Sequence, residues 1–125
     1  MNETYKGIVP YLFFDDAEAA IAWYCDVFDF EEIGRWTNDE GRIQNAELKV
    51  GNTEVWIDGS GQLQKSDDRP IWIGIWVDDV DRIYERVKAK GVECEPPVTR
   101  EFGVRMLNIA DGFGHLWGFI KRVDD

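Results

Sequence analysis

With 125 residues, six tryptophans and 44% hydrophobic content, the chain is the size of one domain and can bury a core without disulfide or metal staples, which excludes a disordered chain. Its formal net charge of −11 is uneven, with thirteen acids against four bases over residues 1–62 and twelve against ten over residues 63–125. Such a balance repels phosphate backbones and anionic lipid and favours cationic ligands, so neither a nucleic-acid nor a membrane partner is expected.

No apolar run approaches the roughly 18 residues of a membrane span. The opening MNETYKG lacks the basic-then-apolar layout of a signal peptide, so the expected location is cytoplasmic. Cys25 and Cys94 lie in unrelated local patterns, without the close pairing of a metal clip or a redox motif, and are read as free thiols in a reducing compartment.

Ile8 to Phe14 is an apolar run with Pro10 near its start, acceptable in a first or edge strand. Asp15 or Asp16 then caps a helix whose stripe, Ala17, Ala20, Ile21, Tyr24 and Val27 or Phe28, runs from about residue 17 to 28. Asp29 falls where a left-handed residue ends the helix. Phe30 to Trp36 reads as a second strand and Gln44 to Val50 as a third, with Ala46, Leu48 and Val50 on one face and Asn45, Glu47 and Lys49 on the other. Gly51-Asn52 signals a hairpin turn into a fourth strand, Thr53 to Asp58. The polar, turn-forming GSGQLQKSDDRP over residues 59–70 is a linker.

The order then repeats. Ile71 to Val77 is a strand, Asp78 or Asp79 a cap, and Val80, Ile83, Tyr84 and Val87 the buried stripe of a helix that ends at Gly91. Val92 to Cys94 begins a strand broken at Pro96-Pro97; Val104 to Ile109, an Asp111-Gly112 turn and Gly114 to Ile120 follow. The Asp15-Asp16 and Asp78-Asp79 pairs stand 63 positions apart, the mark of a duplicated unit. The prediction is an α+β fold: one domain of two tandem βαβββ modules, about residues 7–58 and 71–120, forming a curved mixed sheet with a concave cup and helices on its outer face.

Within Ile71 to Val77 the odd positions are all aliphatic, while Trp72, Gly74 and Trp76 share the other face. Two rings flanking a glycine outline an aromatic-walled slot with an open floor, suited to a ligand; the alternative is that the tryptophans fill a second layer of core. The 63-residue offset puts Val9, Tyr11 and Phe13 on the same concave face, with Asn45, Glu47, Met106 and Asn108 on its flanks. Signals for catalysis are sparse: there is no Gly-rich phosphate loop and no Gly-x-Ser-x-Gly elbow, and His115 is the one histidine. A metal site from Glu47, Asn45 and Asn108 finds no support in spacing.

The paired units IVPYLFFDDAEAAIAWYCDVFDFEE and IWIGIWVDDVDRIYERVKAKGVECEP, with Trp23-Tyr24 near the end of the first helix and the closing DGFGHLWGF, resemble the vicinal oxygen chelate superfamily, also named for glyoxalase, bleomycin-resistance protein and extradiol dioxygenase. The resemblance spans about Gly7 to Ile120. That fold hosts lyases, isomerases, dioxygenases and metal-free binding proteins. Its enzymes hold a divalent metal with His, Gln or Glu on the first and last strand of each module. The resemblance carries those four positions onto Val9, Ile57, Trp72 and Gly118, none of which can ligate through its side chain, and so implies no metal, no cofactor and no catalytic residue.

The segments VPYL, IWVDD and FGVRMLNIADGFG resemble the bleomycin-resistance branch, whose metal-free members sequester a basic aromatic glycopeptide between two identical subunits. The implied function is a metal-free small-molecule binding protein that sequesters a cationic aromatic antibiotic and works as a homodimer. Its expected ligand-binding residues are Tyr11, Phe13, Asn45, Glu47, Trp72, Gly74, Trp76, Met106, Asn108 and Gly118. Two other readings stand beside it. One is a metal-dependent lyase, isomerase or dioxygenase with non-standard ligands, for which Glu47 and His115 are the polar candidates. The other is a domain whose cup is filled by its own tryptophans and which serves only association or regulation.

Overall fold

The computed structural model describes residues 4–61 and 71–123. Most of the expected linker, residues 62–70, lies outside the described residues. The chain divides into two compact units, Met1–Lys65 and Ser66–Asp125.

Unit 1 runs β1 (Tyr11–Phe13), α1 (Ala17–Val27), β2 (Glu31–Thr37), β3 (Ile43–Val50) and β4 (Thr53–Asp58). Its sheet has the order β1-β4-β3-β2, with β1 parallel to β4 and the other pairs antiparallel. Unit 2 repeats this with β5 (Ile71–Trp76), α2 (Val80–Ala89), β6 (Val98–Thr99), β7 (Val104–Ala110) and β8 (His115–Arg122), ordered β5-β8-β7-β6. The βαβββ duplication is therefore real, and each module carries its own four-stranded mixed sheet.

Both helices start in the same way. Asp16 accepts from the Ala19 amide and Asp79 from the Arg82 amide, each at 3.0 Å, satisfying an otherwise orphaned N–H. Ala17, Ala20, Ile21, Tyr24 and Val27 are buried in α1; in α2, Val80 and Val87 are buried while Ile83 and Tyr84 are half-covered. These stripes pack on one side of each sheet, against Leu12, Ala46, Leu48, Val55 and Ile57 in unit 1 and Leu107, Ile109, Trp117 and Phe119 in unit 2, all buried. An arginine ties strand to helix in each: Arg35 reaches Glu18 at 2.7 Å and Arg105 reaches Asp81 at 2.6 Å. Both pairs are exposed, so solvent screening leaves each only a small contribution to stability.

Asp29 follows α1 with φ 62, the one non-glycine residue at positive φ among the described residues, where Gly91 follows α2 with φ 83. Two strand expectations shift. β1 begins only at Tyr11, because Pro10 has no N–H to donate; its carbonyl still accepts from the Trp56 amide at 2.9 Å. The strand expected at Val92 to Cys94 does not form. The Val92 amide closes the helix end on the Val87 carbonyl at 3.0 Å, and pairing starts only beyond the two prolines, with Val98 opposite Met106. No helix among the described residues is long and apolar enough to cross a membrane.

Candidate functional site

Each sheet has one side under its helix and one side turned away from it, and the sequence-predicted residues lie on the open side. In unit 2, the ladder aligns Gly74, Gly118 and Asn108 in one row, with Trp76, Ile120 and Met106 in the next. Trp72 is 45% and Trp76 59% exposed, so these rings are not a second layer of core. The slot over Gly74 is nonetheless not open. The Trp72 indole lies across the row: a Cβ built on Gly74 would sit 2.7 Å from Trp72 Cη2, and one on Gly118 would overlap Cζ2 and Cε2 of the same ring. Its Nε1–H donates to Asn108 Oδ1 at 2.9 Å. Two glycines thus make a bed for the ring, and Asn108 fixes its rotation. One face of the indole covers backbone, and the ring stays half exposed to solvent. Beyond it, the Arg122 guanidinium stacks 5.0 Å from the Trp76 ring centre.

In unit 1 the equivalent rows are Tyr11, Trp56, Glu47 and Gly34, and then Phe13, Asp58, Asn45 and Trp36. Here the central positions carry their own rings. Tyr11 meets Trp56 edge-on at 5.9 Å and Phe13 at 5.7 Å. Trp56 Nε1–H donates to Glu54 at 2.9 Å. Trp36, 53% exposed, lays its tip over Gly34, 3.2 Å from where a Cβ would stand. Asp58 is buried; its Oδ1 accepts from the Ser60 amide at 2.9 Å and the Ser60 hydroxyl at 2.8 Å, and its Oδ2 faces the Tyr11 hydroxyl at 3.4 Å. Burial, then the charge of Asp58 and the hydrogen bond to it, push the Tyr11 phenol up.

The predicted residues are therefore brought together in two sets, Tyr11, Phe13, Asn45 and Glu47 on one sheet and Trp72, Gly74, Trp76, Met106, Asn108 and Gly118 on the other. Val9 precedes β1 and is exposed. Trp36, Trp56 and Asp58 were missed. The Gly51-Asn52 turn could have found Trp56 and Asp58, since it pairs Val50 with Thr53 and hence Glu47 with Trp56 and Asn45 with Asp58.

That register also corrects one family position. Ile57 is fully buried on the helix side, and the residue that stands to Tyr11 as Gly118 stands to Gly74 is Trp56. The four positions then read Val9, Trp56, Trp72 and Gly118. No side chain among them offers a metal a suitable donor, and the Trp72 ring fills the space into which a ligand at position 118 would project. These residues do not fit the metal of the family's enzymes.

His115 is buried on the helix side of β8, opposite in face to Gly118, so it is not on the open face with the aromatic residues. It serves a structural network around Asp111, also buried. Asp111 Oδ1 accepts from the amides of Phe113 at 2.7 Å and His115 at 3.2 Å; Oδ2 accepts from Trp117 Nε1 at 2.9 Å and lies 3.1 Å from His115 Nδ1. Cavities of about 400 Å³ and about 150 Å³ lie at the starts of α2 and α1, lined by the capping acids with Arg105 and Arg122 in one and Arg42 in the other.

Comparison with known proteins agrees with this architecture. The family model for the Glyoxalase/Bleomycin resistance protein/Dioxygenase superfamily matches residues 7–119. An uncharacterised protein of Mycobacterium bovis is 30% identical over 127 aligned positions, covering 94% of this chain and 84% of its own. The crystal structure of TioX from Micromonospora sp. ML1 superposes with a TM-score of 0.80 at 27% identity, covering 94% of this chain and 99% of that one. Lactoylglutathione lyase from Agrobacterium tumefaciens, at 21% identity, TM-score 0.72 and 92% coverage of both chains, shares the fold. The chain belongs to the glyoxalase, bleomycin resistance protein and dioxygenase superfamily.

Proposed function

We propose that this protein binds a flat small molecule on its aromatic open faces and holds it without a metal, a role of sequestration such as an antibiotic-binding protein performs. The observation that carries the reading is the Trp72 indole bedded on Gly74 and Gly118 and pinned by Asn108. The ring fills the space that a side chain at position 118 would need and offers a half-exposed aromatic surface there. An exposed, oriented tryptophan is a stacking platform that a flat ligand can cover with little loss of side-chain entropy.

The test is titration of EDTA-treated protein with acridine at pH 8, where this tricyclic probe is uncharged, followed by calorimetry. Saturable binding, weakened about tenfold by Trp72→Ala through lost stacking and burial, is the expected result. Binding that appears only when a divalent metal is restored would favour an enzyme of the same superfamily.

We propose further that the working form is a homodimer. Ile71 is half exposed on β5, an apolar strand at the edge of its sheet, and a second chain would cover that edge. Light scattering that gives a mass near 14.5 kDa at micromolar concentration would contradict this.

A further inference from the structure

We infer that the open face of unit 1 holds a subsite for an organic cation, built from Asp58, Asn45 and Tyr11, which takes the protonated N–H edge of a flat ligand. The inference rests on the small-molecule reading above and adds the charge that the ligand carries.

Asp58 is only 6% exposed, yet it forms no ion pair with a lysine or arginine among the described residues. One of its oxygens is well served by Ser60. The other has only the Tyr11 hydroxyl at 3.4 Å, too long for a strong hydrogen bond. Directly across the ladder stands Asn45, whose Oδ1 is buried with no hydrogen-bond partner. Adjacent ladder partners share a face, so two acceptor oxygens short of donors lie on one face, and the Asn45 amide nitrogen, the one donor that either side chain carries, makes no hydrogen bond to Asp58. A buried carboxylate is tolerated when a cation answers it, and a buried acceptor when a donor does. A protonated amine or amidinium supplies both at once.

The surroundings suit such a group. The Tyr11, Phe13 and Trp56 rings flank it, and ring faces attract cations. Tyr11 is partly exposed and weakly tied, so it can swing from Oδ2; Asn45 is partly covered, and rotation of its amide brings Oδ1 toward the open face. A metal ion is less well served, because it needs about six oxygen ligands and no group of three His, Cys, Asp or Glu among the described residues is arranged to hold one. In unit 2 the register counterpart of Asp58 is Ile120, and Arg122 lies over the neighbouring tryptophan, so the subsite belongs to unit 1 alone.

The experiment compares proflavine, a flat organic cation, with acridine, its uncharged parent ring at pH 8, on wild type, Asp58→Asn and Asn45→Ala. Wild type is expected to bind proflavine at least tenfold tighter than acridine. Asp58→Asn should bring proflavine to the acridine level and leave acridine unchanged, while melting at the same or a higher temperature. The new amide keeps the Ser60 bonds, removes a buried charge and gives an N–H to Asn45. Asn45→Ala should weaken proflavine by a smaller factor. Equal affinity of wild type for both dyes overturns the subsite and leaves the small-molecule reading standing; failure of both to bind overturns the two together. Unchanged proflavine affinity in Asp58→Asn, unfolding of that variant, or stabilisation by calcium or magnesium chloride alone with no effect of charge on dye binding would each overturn the subsite.

Discussion

The two units share strand order, helix caps, strand-to-helix arginine pairs and a buried helix side, yet their open faces are built on opposite plans. In unit 2 the central row is bare backbone at Gly74 and Gly118, covered by a ring sent from Trp72 two residues upstream. In unit 1 the same row carries Tyr11 and Trp56 in place, and the next row leaves a carboxylate, Asp58, buried beside an unsatisfied amide oxygen. The difference teaches where duplication leaves freedom. Volume and burial constrain the helix side, where a truncated Leu48 or Leu107 would cost about 2–5 kcal/mol, so both copies keep aliphatic and aromatic residues there. The open side owes nothing to that core, and there the copies have diverged.

The sharpest way to break the comparison is at the hairpins. Unit 2 closes its last turn on the buried Asp111, which holds Phe113, His115 and Trp117; unit 1 closes with Gly51-Asn52 and a Thr53 hydroxyl on the Val50 carbonyl at 2.8 Å. Asp111→Ala should cost about 3–5 kcal/mol, since it orphans several buried donors at once. Thr53→Ala should cost under about 1 kcal/mol. Urea unfolding curves of the two variants give the contrast, and equal losses would deny it.

Next in size is the bed under Trp72. Gly118→Ala should destabilise by about 1–3 kcal/mol because its methyl overlaps the indole, and the loss should largely vanish in a Trp72→Ala background. Gly34→Ala meets only the tip of the exposed Trp36 and should cost less than about 1 kcal/mol beyond its backbone effect. A double-mutant cycle with no coupling between positions 72 and 118 would remove the bed. Smaller again is the helix end: Asp29→Gly should stabilise by about 0.5–1 kcal/mol, making the first copy like the second. The smallest effect concerns the thiols. Burial first, and neighbouring acids next, push Cys25 and Cys94 up, so less thiolate is present at pH 8 and both should alkylate more slowly with iodoacetamide than free cysteine.

The architecture was legible because periodicity reports burial. The stripes of both helices, the Asp caps and the 63-residue repeat are local signals; the α1 stripe and both caps reappear in the structure, while in α2 Val80 and Val87 are buried and Ile83 and Tyr84 only half-covered. Strand ends at Pro10 and after Pro97 shifted because hydrogen-bond donors, not hydropathy, decide where a ladder begins. The site was half legible. Alternation put Trp72, Gly74 and Trp76 on one face, but it cannot say which way a ring folds; the paired glycines of β5 and β8 that accept the indole are neighbours only through the parallel register. Placing the first module's last-strand position at Ile57 failed for a related reason. Carried over by family resemblance, the position fell one residue out of step with alternation from the hairpin, which puts Trp56 outward and Ile57 inward.

The central claim is that the Trp72 ring lies on Gly74 and Gly118 as a platform for a flat ligand with no metal beneath it. NMR of EDTA-treated protein tests it most directly. The Gly74 and Gly118 Hα resonances should be shifted upfield by the ring current, show cross-relaxation to the Trp72 ring and revert in Trp72→Ala, and the Trp72 indole N–H signal should move as acridine is added. Glycine Hα shifts at ordinary strand values, with no contact to Trp72 and no response of its indole to acridine, would contradict the account.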